Sequence, residues 1–242
     1  MEPQIKIFPD PALLCTEALA LVLNRLQMAI ATRGEATVAL AGGTTPKQLY
    51  RALAQESLAG SQLQIFWGDE RYVPPDHADS NQRLARQAWL DHVDIPPAHL
   101  HPMPTQSGDP QRDAELYENE LARHFHLAAG EFPCFDLILL GLGDDGHTAS
   151  LFPHTPALQV GDRLITVGNK NGEPRITFTV PLINHARCVI FLVSGANKQM
   201  ALSQILAPQG DDQSYPARLI RPQGELFWLL DRSAAALLPP LA

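Results

Sequence analysis

The sequence predicts an α/β fold: a single domain over residues 1–242, with a largely parallel sheet and helices on both of its faces. Three observations carry this expectation. Short apolar runs alternate with longer segments of helical period, the pattern that builds parallel sheets through crossover helices. Several of these runs end in glycine turns followed at once by helix-start signals. Proline-rich stretches interrupt the alternation without ending it, so they read as loops within one domain.

The elements follow in order. Gln4–Phe8 is expected as a first strand, and Asp10-Pro11 opens a helix reaching about Thr32, with Leu14, Ala18, Leu21, Val22 and Leu26 on one face. Thr37–Ala41 is a short apolar strand. Gly42-Gly43-Thr44-Thr45-Pro46 comes next, where a threonine cap and Pro46 at the first helical position start a helix to about Gln55. Leu63–Trp67 is a third strand running into Gly68-Asp69-Glu70-Arg71, and Asn81–Asp91 is helical. Ile95 to Pro110 holds five prolines and forms a surface connection with a brief strand at His99–Met103. Ala114, Tyr117, Leu121 and Phe125 mark one helical face. Phe135–Leu140, Leu164–Val167, Ile176–Val180 and Val189–Val193 are strand candidates. Ala196–Leu206 is helical, Glu225–Leu230 is a last strand, and Ala234–Leu238 is a short terminal helix.

The most informative stretch is 135–153. The apolar run Leu137–Leu140 breaks into Gly141, Gly143 and Gly146, and His147 follows where the next helix is expected to begin. A histidine at the carboxyl edge of a sheet can do proton chemistry near neutral pH. A neighbouring carboxylate, Asp145 or alternatively Asp144, can orient its ring. Ser150 lacks a GxSxG elbow and is expected on the same helix as His147, so it is not read as a nucleophile. Gly141-Leu142-Gly143-Asp144-Asp145-Gly146 formally matches a dinucleotide fingerprint, but two aspartates inside the turn would repel a pyrophosphate, and Asp162 precedes the following strand instead of ending it.

Anion-binding candidates converge on the same sheet edge. Gly42, Gly43 and Thr44 offer backbone amides and a hydroxyl at a helix start, without the Lys-Ser/Thr of a P-loop. Arg71 can fork onto a phosphate, and Asp69 can accept from sugar hydroxyls. Arg175, beside a strand, and Lys198, at a helix start, supply further cations. The His99/His101 and His124/His126 pairs have no cysteine or carboxylate at ligand spacing, which disfavours a metal site.

Composition limits the alternatives. Eighteen basic against 26 acidic residues, a net charge of −8, disfavours a nucleic-acid binder. Three scattered cysteines, Cys15, Cys134 and Cys188, suit a reducing compartment. Neither a secretory signal nor an uninterrupted apolar run of membrane-spanning length stands out, so the expected location is cytoplasmic.

Taken in order, Leu40–Pro46, Phe66–Val73 with Ser80-Asn81, Gly141–Pro153, Arg175-Ile176-Thr177 and Gly195–Lys198 resemble the 6-phosphogluconolactonase family. That family lies within the superfamily that also holds glucosamine-6-phosphate isomerase/deaminase. The resemblance implies a Rossmann-like, glucosamine-6-phosphate isomerase-like fold. It also implies hydrolysis of a sugar-phosphate lactone with no cofactor or catalytic metal, by a monomer or weak homo-oligomer. His147 would be the general base, oriented by Asp145. Gly42, Gly43, Thr44, Asp69, Arg71, Arg175 and Lys198 would bind substrate. The deaminase pattern resembles His-Ile-Ala-Phe-Asn-Glu-Pro, whereas this chain reads His147-Thr148-Ala149-Ser150-Leu151-Phe152-Pro153 and lacks the glutamate. That favours the lactonase branch over an amino-sugar isomerase, and the absence of a preceding DNA-binding segment disfavours a non-catalytic sugar-phosphate sensor.

Overall fold

A computed structural model describes residues 2–239. The chain opens with β1 (Gln4–Phe8) and α1 (Pro11–Arg33). Asp10 caps α1 by accepting from the Leu13 amide, Pro11 fills its first position, and Gly34 ends it at φ 85°, where a side chain would be strained. Leu14, Ala18, Val22, Leu26 and Ala29 form the buried stripe, while Leu21 sits half-buried at its margin. By length and composition alone α1 could cross a membrane, although Glu17 and Arg25 interrupt its apolar run. In this fold that apolar stripe packs on the sheet and on the next helix.

There follow β2 (Ala36–Leu40), α2 (Thr44–Leu53), β3 (Leu63–Trp67), β4 (Asp69–Arg71), α3 (Asn81–Ala88), β5 (Leu100–His101) and α4 (Pro110–His124). The second half contributes β6 (Leu137–Leu140), β7 (Ile165–Lys170), β8 (Glu173–Phe178), α5 (Val180–Asn184), β9 (Cys188–Val193), α6 (Gln199–Ile205) and β10 (Glu225–Asp231). Seven strands form one sheet in the order β1-β10-β9-β6-β2-β3-β5, and every pairing in it is parallel. All residues of β2, β6 and β9 are buried, as expected for strands covered on both faces. Order along the sheet reverses between β2 and β6: the chain moves outward to β3 and β5 on one side, and to β9 and β10 on the other. Open α/β sheets form a crevice at such a switch point, outside the carboxyl ends of the strands.

Several expectations need correction. Leu164–Val167 and Ile176–Val180 do not join the parallel sheet. They form an antiparallel hairpin, β7–β8, and β4 adds to its edge as a second, three-stranded sheet. The cause is local: Asn171 and Gly172 take φ 56° and 92°, the left-handed pair of a tight hairpin turn. Val180 leaves the strand because Thr179 caps α5. No helix begins at His147. Residues 148–151 form a turn closed by a Thr148–Leu151 bridge, with Ala149 at φ 48°. Their hydroxyls are engaged elsewhere, Thr148 donating to the Gly141 carbonyl and Ser150 to Asp69. Helix α2 starts at Thr44 with Gly43 as its cap, so neither Thr nor Pro46 holds the position expected. Helix α3 ends at Ala88 before a short 3-10 turn at Leu90–His92, and Ala196–Lys198 is likewise 3-10 before α6. Ala234–Leu238 is a succession of turns tied to Asp231 and not a helix.

Two polar anchors hold the strand ends. Buried Tyr50 on α2 donates to the Ala41 carbonyl at 2.7 Å and accepts from the Ala41 amide at 2.9 Å, locking the exit of β2 just before Gly42. Tyr50→Phe leaves both groups unpaired in the interior, an expected cost of about 1–3 kcal/mol. Thermal denaturation should show a loss of roughly 2–4 °C per kcal/mol; an unchanged Tm would contradict the anchor. Glu70 is also buried, and it accepts from the Ser80 hydroxyl and the Arg71, Asn81 and Gln82 amides, so it fastens α3 to β4.

Candidate active site

The switch-point crevice opens into a cavity of about 300 Å³. Gly42 and Gly43 come from the end of β2, Gly141–Asp144 and His147 from the end of β6, and Lys198 from the turn after β9. The remaining wall is the small antiparallel sheet, which contributes Asp69 and Arg71 from β4, Lys170 from β7 and Arg175 from β8. Of the residues singled out from sequence, Gly42, Gly43, Asp69, Arg71, His147, Arg175 and Lys198 meet here. Thr44 does not line the cavity; it occupies the first position of α2 behind Gly43. Asp145 stands behind the histidine.

His147 is held by its own turn. Gly143 donates its amide to the His147 carbonyl at 2.8 Å, and Asp145 accepts from the His147 amide at 3.1 Å. The same carboxylate oxygen is hydrogen-bonded to Nδ1 of the ring, so it is Asp145 and not Asp144 that meets the imidazole. This pairing leaves Nε2 as the nitrogen available to the cavity. Partial burial disfavours the charged carboxylate, but the hydrogen bond and charge of His147, with Lys170 nearby, bring Asp145 down to about 2. Asp145 is therefore ionised across the working range. The ring also packs on Phe152, with centroids 4.6 Å apart.

The opposite wall is an arrangement of cations. Arg71 and Arg175 are directly paired across β4 and β8, and like charges in that position repel. Arg71 donates to the Asp79 carbonyl at 2.6 Å and to Asn81 Oδ1 at 2.7 Å, and Asn81 in turn donates to the Asp69 carbonyl. The Nε atoms of both arginines are buried and unpartnered. Burial lowers the Arg175 pKa, and Arg71 alongside lowers it further. Among the described residues, Arg71, Lys170, Arg175 and Lys198 make no ion pair with any carboxylate. Four cations without an ion-pair partner surround one cavity that also holds Asp69 and Asp144, an arrangement suited to binding an anion. Asp69, expected to meet a sugar, is nearly buried and accepts from the Ser150 hydroxyl at 2.7 Å.

Sequence reasoning missed Asn81, Lys170 and the wall residues Thr148 and Ala149. Asn81 was visible only as part of a motif. Lys170 had no local signal, because its approach depends on the β7–β8 hairpin. The two His-x-His segments are far less chemical: His101 bonds Glu120 and Gln64 and stacks on Phe66, with His124 against the same ring.

Comparisons with known proteins identify the family. A family model described as glucosamine-6-phosphate isomerases/6-phosphogluconolactonase matches residues 9–228. The chain belongs to this family. It is 63% identical over 240 residues to 6-phosphogluconolactonase of Synechocystis sp. (strain ATCC 27184 / PCC 6803 / Kazusa), covering 99% of this chain and 100% of that one. It is 56% identical over 236 residues to the protein of the same name from Nostoc sp. (strain PCC 7120 / SAG 25.82 / UTEX 2576), covering 98% of each. The solved structure of 6-phosphogluconolactonase from Trypanosoma brucei superposes with a TM-score of 0.89 at 34% identity, covering 98% of this chain and 99% of that one. Membership of the glucosamine-6-phosphate isomerase/6-phosphogluconolactonase family bears out the expected fold. Within the family's sequence patterns, Phe152 stands where the deaminase pattern carries its glutamate, and here it supplies the apolar ring beneath His147.

Proposed function

We propose that this chain, acting as one catalytic domain, hydrolyses 6-phospho-D-glucono-1,5-lactone to 6-phospho-D-gluconate, the second step of the oxidative pentose phosphate pathway. The observation that carries the reading is the pairing, in one cavity, of an oriented imidazole with a cluster of cations that make no ion pair. The names of the relatives support the same reaction.

In this reading Asp145 holds Nδ1–H, and Nε2 of His147 removes a proton from water as its oxygen bonds to the lactone carbonyl carbon. The tetrahedral intermediate then collapses. The bond to the ring oxygen breaks, and His147 returns its proton to that oxygen, regenerating the neutral base. The phosphate dianion sits against Arg71, Arg175, Lys198 and the amides of Gly42 and Gly43, with Thr44 supporting them from the first turn of α2. Asp69, oriented by Ser150 and Asn81, faces the sugar. All these groups come from one chain, which suits a monomer or weak homo-oligomer. The free thiols Cys15, Cys134 and Cys188 suit the cytoplasm, and the net charge suits neither nucleic acid nor an anionic membrane.

The direct test is acid release from freshly made lactone, corrected for spontaneous hydrolysis. Tight binding without turnover would instead indicate a sensor, and ammonia release from glucosamine 6-phosphate a deaminase. Arg175→Met removes one charge-assisted phosphate contact and should raise KM about ten- to hundredfold with a smaller effect on kcat. An unchanged KM would remove Arg175 from the phosphate site.

A further inference from the structure

We infer that Lys170 is a catalytic residue at the carbonyl end of the cavity, donating from Nζ to the lactone carbonyl oxygen as that atom becomes an oxyanion. The inference rests on the hydrolytic reading above and adds a group that no sequence motif marked.

Its placement follows from strand register. The Asn171-Gly172 turn makes Lys170 the last residue of β7, opposite Glu173 on β8. Gly168 lies opposite Arg175, so Lys170 and Arg175 project from the same face of the small sheet, one pair apart. Gly168 also lets the hairpin lie close, since a Cβ there would overlap the Ser150 carbonyl. Lys170 is thus brought to the segment that carries His147. Its Nζ is 5.6 Å from the centroid of the Phe152 ring, the same ring that packs on His147, and the Arg175 guanidinium reaches that ring from the same distance. Its charge acts on Asp145, whereas the charges acting on Arg175 include Arg71 and Asp69. Arg71 and Arg175 are thus paired across β4 and β8, while Lys170, at the tip of the hairpin, adds a cation whose charge reaches Asp145.

The chemistry requires a donor at that place. Attack by water moves the carbonyl π pair onto oxygen, next to the carbon that His147 serves. The helix N-terminus expected after the glycine turn does not exist, because residues 148–151 form a turn instead. Lys170 lines the cavity and makes no ion pair among the described residues. An ammonium hydrogen bond to the oxyanion needs no proton transfer. The electron pair returns to the carbonyl as the ring C–O bond breaks and His147 protonates the leaving oxygen. A preorganised donor of this kind is worth about 10²–10³ in kcat.

The charged and titratable groups around His147 are Asp144 and Asp145 on its own turn, Asp69 and Arg71 on β4, Lys170 on β7, Arg175 on β8, Lys198 after β9, and Tyr215 packed against Gly146. Lys170→Met should lower kcat about a hundredfold. It should also leave competitive inhibition by inorganic phosphate unchanged. Lys170→Arg should restore most of the rate. Circular dichroism and Tm establish that each variant is folded, and phosphate inhibition supplies a readout that does not depend on kcat. Wild-type kcat in Lys170→Met would overturn the assignment. So would a loss of phosphate inhibition with kcat retained, which would transfer Lys170 to the phosphate end. Failure of the parent reading looks different: the wild type itself would not turn over lactone.

Discussion

Replacing His147 with asparagine is expected to lower kcat on the lactone by about 10²–10⁴-fold, the usual contribution of a positioned general base. Asparagine keeps a polar side chain of similar reach in the turn, so the Gly143 amide still has the residue-147 carbonyl as acceptor. The proposed phosphate wall is built from β4, β8 and the turns after β2 and β9, and does not depend on the imidazole. KM and inhibition by inorganic phosphate should therefore change little, while the acid limb of the pH profile disappears. The measurement is initial acid release against pH, with spontaneous hydrolysis subtracted at each point. Equal rates in wild type and variant would eliminate the mechanism.

The second large effect is expected from a residue with no side chain. Gly143 does not need a left-handed backbone, but a Cβ there would overlap the His147 ring and the Asp145 carboxylate. In Gly143→Ala the imidazole has to swing off Asp145, because that carboxylate is held by the His147 amide as well. Displacing a reacting group by about 1 Å can cost on the order of 10²-fold, and a similar fall in kcat is expected here. The obstruction falls on side chains at the cavity wall, and the variant should fold with a Tm near that of the wild type. An NMR titration of the His147 imidazole would report the lost carboxylate directly. Wild-type kcat in this variant would show that the fixed ring geometry is dispensable.

Local signals explain which parts of this architecture were readable in advance. Asp10, Pro11 and Gly34 bracket α1 because caps act within one turn of the residues that supply them. The buried runs of β2, β3, β6 and β9 are continuous enough to identify without partners. Gly141, Gly143 and His147 are adjacent in sequence, so a glycine turn delivering an imidazole to a sheet edge was legible from residue order. The helix expected after His147 failed for a non-local reason. Ser150 is drawn to Asp69, 81 positions earlier in the chain, and its amide to Thr177. Such contacts outweigh the modest preferences by which a helix would begin.

By itself, the sequence determined the parallel sheet, the glycine turns at its carboxyl edge and the histidine with its neighbouring aspartate, because each depends on residues close together along the chain. Tertiary structure decided which aspartate meets the ring, that Thr44 stands behind the wall, and that Asp69, Arg71, Lys170 and Arg175 share one surface. The physical reason is register. Pairing of β4, β8 and β7 places Arg71 opposite Arg175 and Arg175 opposite Gly168, and a slip of one residue would turn these side chains to the other face. The charge of the site is thus written in three separate segments, and it becomes a site only when the small sheet brings them together.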